Sequence, residues 1–180
     1  PVSQLFLQAL PSKGGLGLSP QEFGLVNGTV GVIGFLVGGI IGGMLISRDG
    51  LKKWLWPMTL AITIPNLTYV YLAYVMPENL MLINVCVAIE NLGYGFGFSA
   101  YMLFMIYFSQ GEHKTSHYAL CTGLMALSMM LPGLFAGALA QAAGYRLFFI
   151  IVMISCLLPF CVASFLKIDA NFGKKEREEE

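Results

Sequence analysis

Charged side chains are scarce in this sequence: Asp, Glu, Lys and Arg make up 11% of its 180 residues, against 57% hydrophobic residues and a mean hydropathy of +0.73. That shortage excludes an ordinary soluble domain, in which about a quarter of the residues carry charge. The polar/apolar alternation over about ten residues that marks a transmembrane β-barrel is also missing. Cys86, Cys121, Cys156 and Cys161 stand singly in apolar runs with no CxxC pair, which excludes a disulfide framework or a thiolate metal centre. Histidine is rarer still. His113 and His117 sit together beside a polar break, without a third ligand for a metal. Neither lies inside an apolar run, so Ser99 has no histidine base and a serine hydrolase is excluded. Gly93, Gly95 and Gly97 do not complete a dinucleotide fingerprint, and nothing calls for a cofactor or an enzyme.

What the sequence has in abundance is long apolar stretches. Residues 23–46, 55–76, 80–108, 118–143 and 147–166 each reach the ~20 residues that cross a hydrocarbon core as helix. A segment in lipid must satisfy its backbone internally, so these runs predict five helices. The expected organisation is the end of a truncated transmembrane helix at 1–10, an external loop at 11–22, a five-helix bundle at 23–168 and a charged, disordered tail at 169–180. Arg48, Lys52, Lys53, Lys114, Lys167, Lys174, Lys175 and Arg177 fall on one side of that topology, Lys13 and Arg146 on the other. By the positive-inside tendency the first side, with the C-terminus, is cytoplasmic.

Glycine organises the first complete helix. Gly24, Gly28, Gly31, Gly34, Gly38 and Gly42 share an arc of about 120°. Such a stripe admits close backbone approach by another helix, expected to belong to a preceding half of the molecule. Asn27 and Thr29 give this helix a polar outer end. Pro65 should kink the next helix, whose Trp54, Trp56, Tyr69, Tyr71 and Tyr74 are expected near the two headgroup levels. That helix and the last one read as lipid-facing. Gly133 and Gly137, a GxxxG pair after Pro132, predict tight packing, and Thr115 and Ser116 are candidate caps for the same helix.

Glu90 is the one carboxylate inside a span. It lies about ten residues, so about 15 Å, from the outer end of its helix, close to the bilayer midplane. Intramembrane acids face a protein interior or an aqueous path, because charge in hydrocarbon costs at least a few kcal/mol. Asn91 stands beside Glu90, and Tyr94 and Tyr101 share its helical face. These residues, with Asn27 and Thr29 of the first complete helix, predict a solute and proton path, with Glu90 as the proton-responsive group.

The turn from Gly43 to Lys53 carries Arg48, Asp49, Gly50 and Lys52 in a short basic connection. It resembles the signature loop of the major facilitator superfamily, although Ser47 occupies the usual acidic position and Asp49 is adjacent. Gly14-Gly15-Leu16-Gly17-Leu18-Ser19, Gly28-Thr29-Val30-Gly31, Glu90-Asn91 and Thr115-Ser116-His117-Tyr118-Ala119-Leu120 resemble AmpG-type muropeptide permeases, over about residues 5–166. Asn91 and His117 replace the glutamines usual in that group. The resemblance implies an all-α fold, comprising the end of helix 7 and helices 8–12 of a twelve-helix carrier. It also implies a bacterial inner membrane, and proton symport of anhydromuramyl-peptides for cell-wall recycling. Helix 10, with Glu90, would line the path; helices 9 and 12 would be peripheral.

The leading functional reading is alternating-access transport, with a small-molecule solute, protons, lipid and an N-terminal half as partners and no role for nucleic acid. Two other readings stay open: the same fold carrying another sugar or organic anion, and a membrane sensor or assembly subunit that moves no solute. No Lys or Arg lies within a span, so carboxylates of a cargo must be met elsewhere. The charge asymmetry makes a direct prediction about topology. A cysteine replacing Lys52, in a background without native cysteines, should react with a membrane-impermeant thiol reagent only after the membrane is opened; labelling from outside intact cells would reverse the orientation.

Overall fold

A computed structural model describes residues 2–169 and 172–173. The expected tail at 169–180, with Lys174, Lys175 and Arg177, therefore falls largely outside the described residues. The described backbone is helical throughout its length apart from connections. Helix α1 spans Val2–Gln8. Residues 14–18 fold back on it, with the Leu16 and Leu18 amides donating to the carbonyls of Phe6 and Leu7 at 3.0 and 2.9 Å. Helix α2 spans Pro20–Asp49 and opens on a capping box, in which the Glu22 amide donates to Ser19 Oγ at 3.3 Å and the Ser19 amide donates to Glu22 Oε2 at 2.8 Å. The helix thus begins before residue 23, where the apolar run starts. Its Gly24–Val30 stretch is wound as π-helix.

Helix α3, Leu51–Val75, breaks at Pro65 into Leu51–Thr63 and Asn66–Val75, as a proline that removes a helical donor requires. Helix α4 is Leu80–Phe108, with the Asn79 side chain accepting from the Met81 amide at 2.9 Å. Two helices then follow end to end over Lys114–Ser155, meeting at Gly144, whose φ of 75° and ψ of 158° are a conformation that side chains resist. It divides the stretch into α5, 114–143, and α6, 145–155. Both lengths line one cavity, so the chain reverses at Gly144. Helix α7, Leu157–Phe165, continues α6 past Cys156. Thr115 and Ser116 do not cap α5: its N-cap is His113, without a side-chain hydrogen bond.

Helix α4 is the hub, and glycine on both partners lets it be so. A Cβ at Gly38 of α2 would collide with the Leu92 carbonyl of α4, and one at Gly95 of α4 with the Phe35 carbonyl of α2. At Gly42 it would stand 2.8 Å from the Phe96 carbonyl and at Gly34 3.0 Å from that of Ala88. Ser99 closes the seam by donating to the Gly39 carbonyl at 2.9 Å. The partner of the glycine stripe is therefore α4 of this same chain, not a helix of a preceding half. The stripe is also shorter than expected, since an added Cβ at Gly24 or Gly28 meets nothing within 4 Å. On its opposite side α4 receives α3, with Gly93 against the Ala61 carbonyl and Gly97 against the Ile62 side chain.

Two apolar clusters hold the ends. One gathers Phe6, Leu7, Leu72, Val87, Phe148 and Phe149; Arg146 secures it by donating from Nε to the Ala73 carbonyl at 3.1 Å, its guanidinium 5.3 Å from the Tyr74 ring centroid. Tyr69 belongs to this cluster. It is 4% exposed and stacks on Phe149 at 5.6 Å, so it is a core residue and not part of a headgroup belt. The other cluster joins Ile46, Leu51, Met58 and Ala100 to Ile168, and Phe172 packs on Tyr107 at 4.7 Å. Phe172 shows that the described start of the expected tail is packed.

The seam yields a stability prediction. Gly38→Leu should destabilise the bundle by at least the ~1–3 kcal/mol typical of overpacking, read as a lower aggregation temperature in detergent. Gly43→Ala, where nothing lies within 4 Å of the new Cβ, should leave it unchanged.

Candidate functional site

Glu90 lies half-buried on α4, about 15 Å along the helix from Leu80. Asn91 serves it directly: Nδ2 donates to Glu90 Oε2 at 2.9 Å and to the Val87 carbonyl at 2.9 Å. The same amide packs against the α2 backbone, 3.3 Å from where a Cβ on Gly31 would stand. Asn91 thereby ties the carboxylate to the α2–α4 seam.

Glu90 lines a cavity of about 230 Å³ between α1, α3, α4, α5 and α6. Ser3, Asn66 and Tyr69 supply its other polar walls, and Pro132, Gly133 and Phe149 supply apolar ones. Asn66, at the helix restart after Pro65, donates to the Ile62 carbonyl at 3.1 Å. Gly133 opens onto this space, and neither it nor Gly137 has any atom within 4 Å of an added Cβ. The expected tight GxxxG contact is absent among the described residues, and the missing side chain instead leaves room beside the carboxylate.

The other expected path residues are distributed differently. Tyr94 and Tyr101 do not line this cavity; they are 36% and 40% exposed on the next part of the α4 face. Asn27 and Thr29 lie on the π-helical stretch of α2 and do not line the cavity either. Asn66 and Tyr69 were missed by sequence reasoning, which read the second as an interfacial aromatic. A mid-span amide directly after a helix-breaking proline was the signal available for Asn66.

The connection between α2 and α3 is built around Asp49. Its carboxylate accepts from Trp54 Nε1 at 3.1 Å and pairs with Lys53 at 3.3 Å and Arg48 at 3.4 Å. Ser47 only donates to the Met44 carbonyl at 2.8 Å, and Lys52 is exposed. Gly50 turns the chain at φ 91°. The next amide, Leu51 N–H, has no helical acceptor and donates to the Phe172 carbonyl at 2.9 Å.

This arrangement combines apolar helices, a lone mid-span carboxylate and a compact basic turn between the first two spans. A family model described as Major Facilitator Superfamily matches residues 2–180. The chain belongs to the major facilitator superfamily. Among its relatives, the "Anhydromuropeptide permease" of Escherichia coli (strain K12) is 28% identical over 136 residues, covering 76% of this chain and 28% of that protein. The "Putative transporter AmpG 1" of Rickettsia prowazekii (strain Madrid E) is 23% identical over 158 residues, covering 87% of this chain and 35% of the relative. The "Putative transporter AmpG 4" of Rickettsia conorii (strain ATCC VR-613 / Malish 7) is 24% identical over 156 residues, 87% of this chain and 37% of the relative. The chain thus spans about a third of the length of these relatives. No solved structure gives a significant match. Membership of this superfamily accounts for the all-α architecture and the basic turn, and makes the chain a multi-pass membrane protein.

Proposed function

We propose that this chain forms the C-terminal half of a secondary transporter that imports muropeptides with protons by alternating access. The single observation that carries the reading is the position of Glu90. It is the one acidic side chain within the apolar runs, near mid-depth, beside a cavity of about 230 Å³ and next to the exposed Tyr94. A carboxylate placed there changes the charge of the site by one unit when it takes up a proton. An unneutralised charge at that depth is costly, so its protonation state biases which way the surrounding helices are open to water. Asn91 holds the carboxylate in place in either state, because its Nδ2 can donate to a charged or a neutral carboxyl oxygen. The relatives named for anhydromuropeptide transport support muropeptide as the cargo.

In this reading a second helical bundle supplies the facing wall of the path, and the basic turn at Arg48, Lys52 and Lys53 lies on the cytoplasmic side of a bacterial inner membrane. The cations that a cargo's carboxylates need would come from the other bundle, since the apolar runs here carry none. A related carrier of another sugar or organic anion is the alternative that keeps the same coupling chemistry.

Uptake of labelled muropeptide by cells or vesicles carrying the intact gene product tests the proposal. Glu90→Gln mimics the protonated group at nearly equal volume. It should therefore abolish accumulation driven by a pH gradient while sparing substrate exchange, which needs no net proton movement. Undiminished accumulation by Glu90→Gln would move coupling away from this residue; no uptake by the wild type would reject the cargo.

A further inference from the structure

We infer that Phe35, Tyr94, Phe98 and Tyr101 form a stacking platform for the sugar ring of the cargo, separate from any site that reads its charged portion. The inference rests on the transporter reading above and names which part of the solute this half recognises. The four rings make a continuous ladder across α2 and α4. Phe35 of α2 lies 5.8 Å from both Tyr94 and Phe98 of α4; Tyr94 and Phe98 are 6.0 Å apart, and Phe98 and Tyr101 6.4 Å apart. The glycine seam positions it, because the Gly95 contact that brings α4 onto the Phe35 backbone also brings the Phe35 ring beside Tyr94 and Phe98.

Three observations decide what the ladder meets. First, it is not built for lipid. Tyr94 and Tyr101 lie about 21 and 31 Å along α4 from Leu80, a helix of 29 residues. Centred in a hydrocarbon layer of about 30 Å, both phenols fall within it. Yet both are exposed, and among the described residues neither hydroxyl makes a hydrogen bond. An unpaired hydroxyl facing lipid carries its full desolvation cost, so these two call for a polar partner. Second, the ladder is not built for a helix. Close helix contacts in this chain use glycine, as at Gly38 and Gly95, whereas this face presents four large rings. Third, it is not built for an anion. Neither helix carries a cation within its apolar run, Arg48 lying in the last turn of α2 beside Asp49, and the nearest polar pair is Glu90 with Asn91.

A pyranose ring satisfies all three conditions. Its C–H face is flat and apolar and lies on an aromatic ring, while its rim of neutral hydroxyls reaches phenols, a carboxylate and an amide. Rigid aromatic side chains also lose little conformational freedom on binding. An acidic peptide offers no such flat face, and its carboxylates would be repelled by Glu90.

The test uses the purified intact gene product and two probes, the peptide-free disaccharide of anhydromuropeptide and the matching sugar-free peptide, with binding read by titration calorimetry. Phe98→Leu removes a ring but keeps apolar bulk, and should weaken disaccharide binding about tenfold while leaving peptide binding unchanged. The double variant Tyr94→Phe, Tyr101→Phe keeps both rings and should weaken it by a smaller factor, about fivefold. Phe108→Leu, on the same helix but outside the ladder, should bind as wild type. Equal disaccharide affinity in wild type, Phe98→Leu and the tyrosine double variant overturns the inference, as does a wild type that does not bind the disaccharide. Should Phe98→Leu misfold, the tyrosine double variant decides alone. Muropeptide uptake measured in parallel separates the two readings. Uptake with ring-independent binding rejects the platform and keeps the carrier, whereas ring-dependent binding without uptake keeps the platform and rejects the cargo.

Discussion

Helices in lipid gain nothing by hiding apolar side chains from one another, so a bundle holds together only where backbones come close enough for dispersion and weak polar contacts to add up. In this chain that closeness is concentrated where α2 meets α4. Gly38 admits the Leu92 carbonyl from one side and Gly95 admits the Phe35 carbonyl from the other, so the two helices interlock reciprocally. The Ser99 hydroxyl then satisfies a second acceptor across the seam, at the Gly39 carbonyl, besides the Gly95 carbonyl at 3.4 Å within its own helix. Everything proposed to matter for function is registered against this contact. It sets Asn91 on the α2 backbone, and Asn91 in turn holds Glu90.

Glu90 sits at a boundary. One side of α4 near it looks into a cavity with Ser3, Asn66 and Tyr69; the face beside it carries exposed Tyr94. A packing glutamate would be expected to meet a matching donor on another helix. Among the described residues, the hydrogen bond to this carboxylate comes from its own sequence neighbour, and the space next to it is left by Gly133. That space is large enough for several waters at about 30 Å³ each. Under the proposed proton-coupled reading, a carboxylate beside such a space exchanges its proton more readily than one locked into a dry contact.

The parts of the fold legible in the sequence are those governed by local rules. Pro65 breaks α3 because a missing amide and a ring clash act on neighbouring turns. Apolar run lengths marked the spans because a bilayer has one thickness. The Ser19–Glu22 box was also local, and it marks a helix start that apolar patterning alone placed at residue 23. What remained illegible was pairing. A stripe of glycine announces that some backbone comes near but not whose, so the stripe's partner was sought outside the chain when α4 supplied it. Tyr69 failed for a related reason: its distance from the helix end suited an interface, and only the docking of Phe149 makes that position interior. Gly133 shows the same ambiguity inverted, since an absent side chain can mean contact or vacancy. Of the candidate site, Glu90 and Asn91 were readable from polarity and depth, whereas Asn66 and the rings of Phe35 and Phe98 needed the neighbouring helices.

The turn between α2 and α3 shows how a displaced residue can preserve a physical role. Ser47 stands where an acid is usual in such loops, yet the carboxylate needed to organise the cations is present two residues later. From there Asp49 reaches Arg48, Lys53 and Trp54 together, which the turn at Gly50 makes possible by bringing the start of α3 back over the end of α2. The same turn leaves the Leu51 amide without a helical acceptor, and the Phe172 carbonyl fills that role while its ring rests on Tyr107 of α4. Three helices and the chain beyond the last helix thus converge on one connection. Any motion that tilts α2 against α3 must either carry Phe172 along or break its bond to Leu51. The segment at Phe172 is therefore joined to the connection between α2 and α3 as well as to α4.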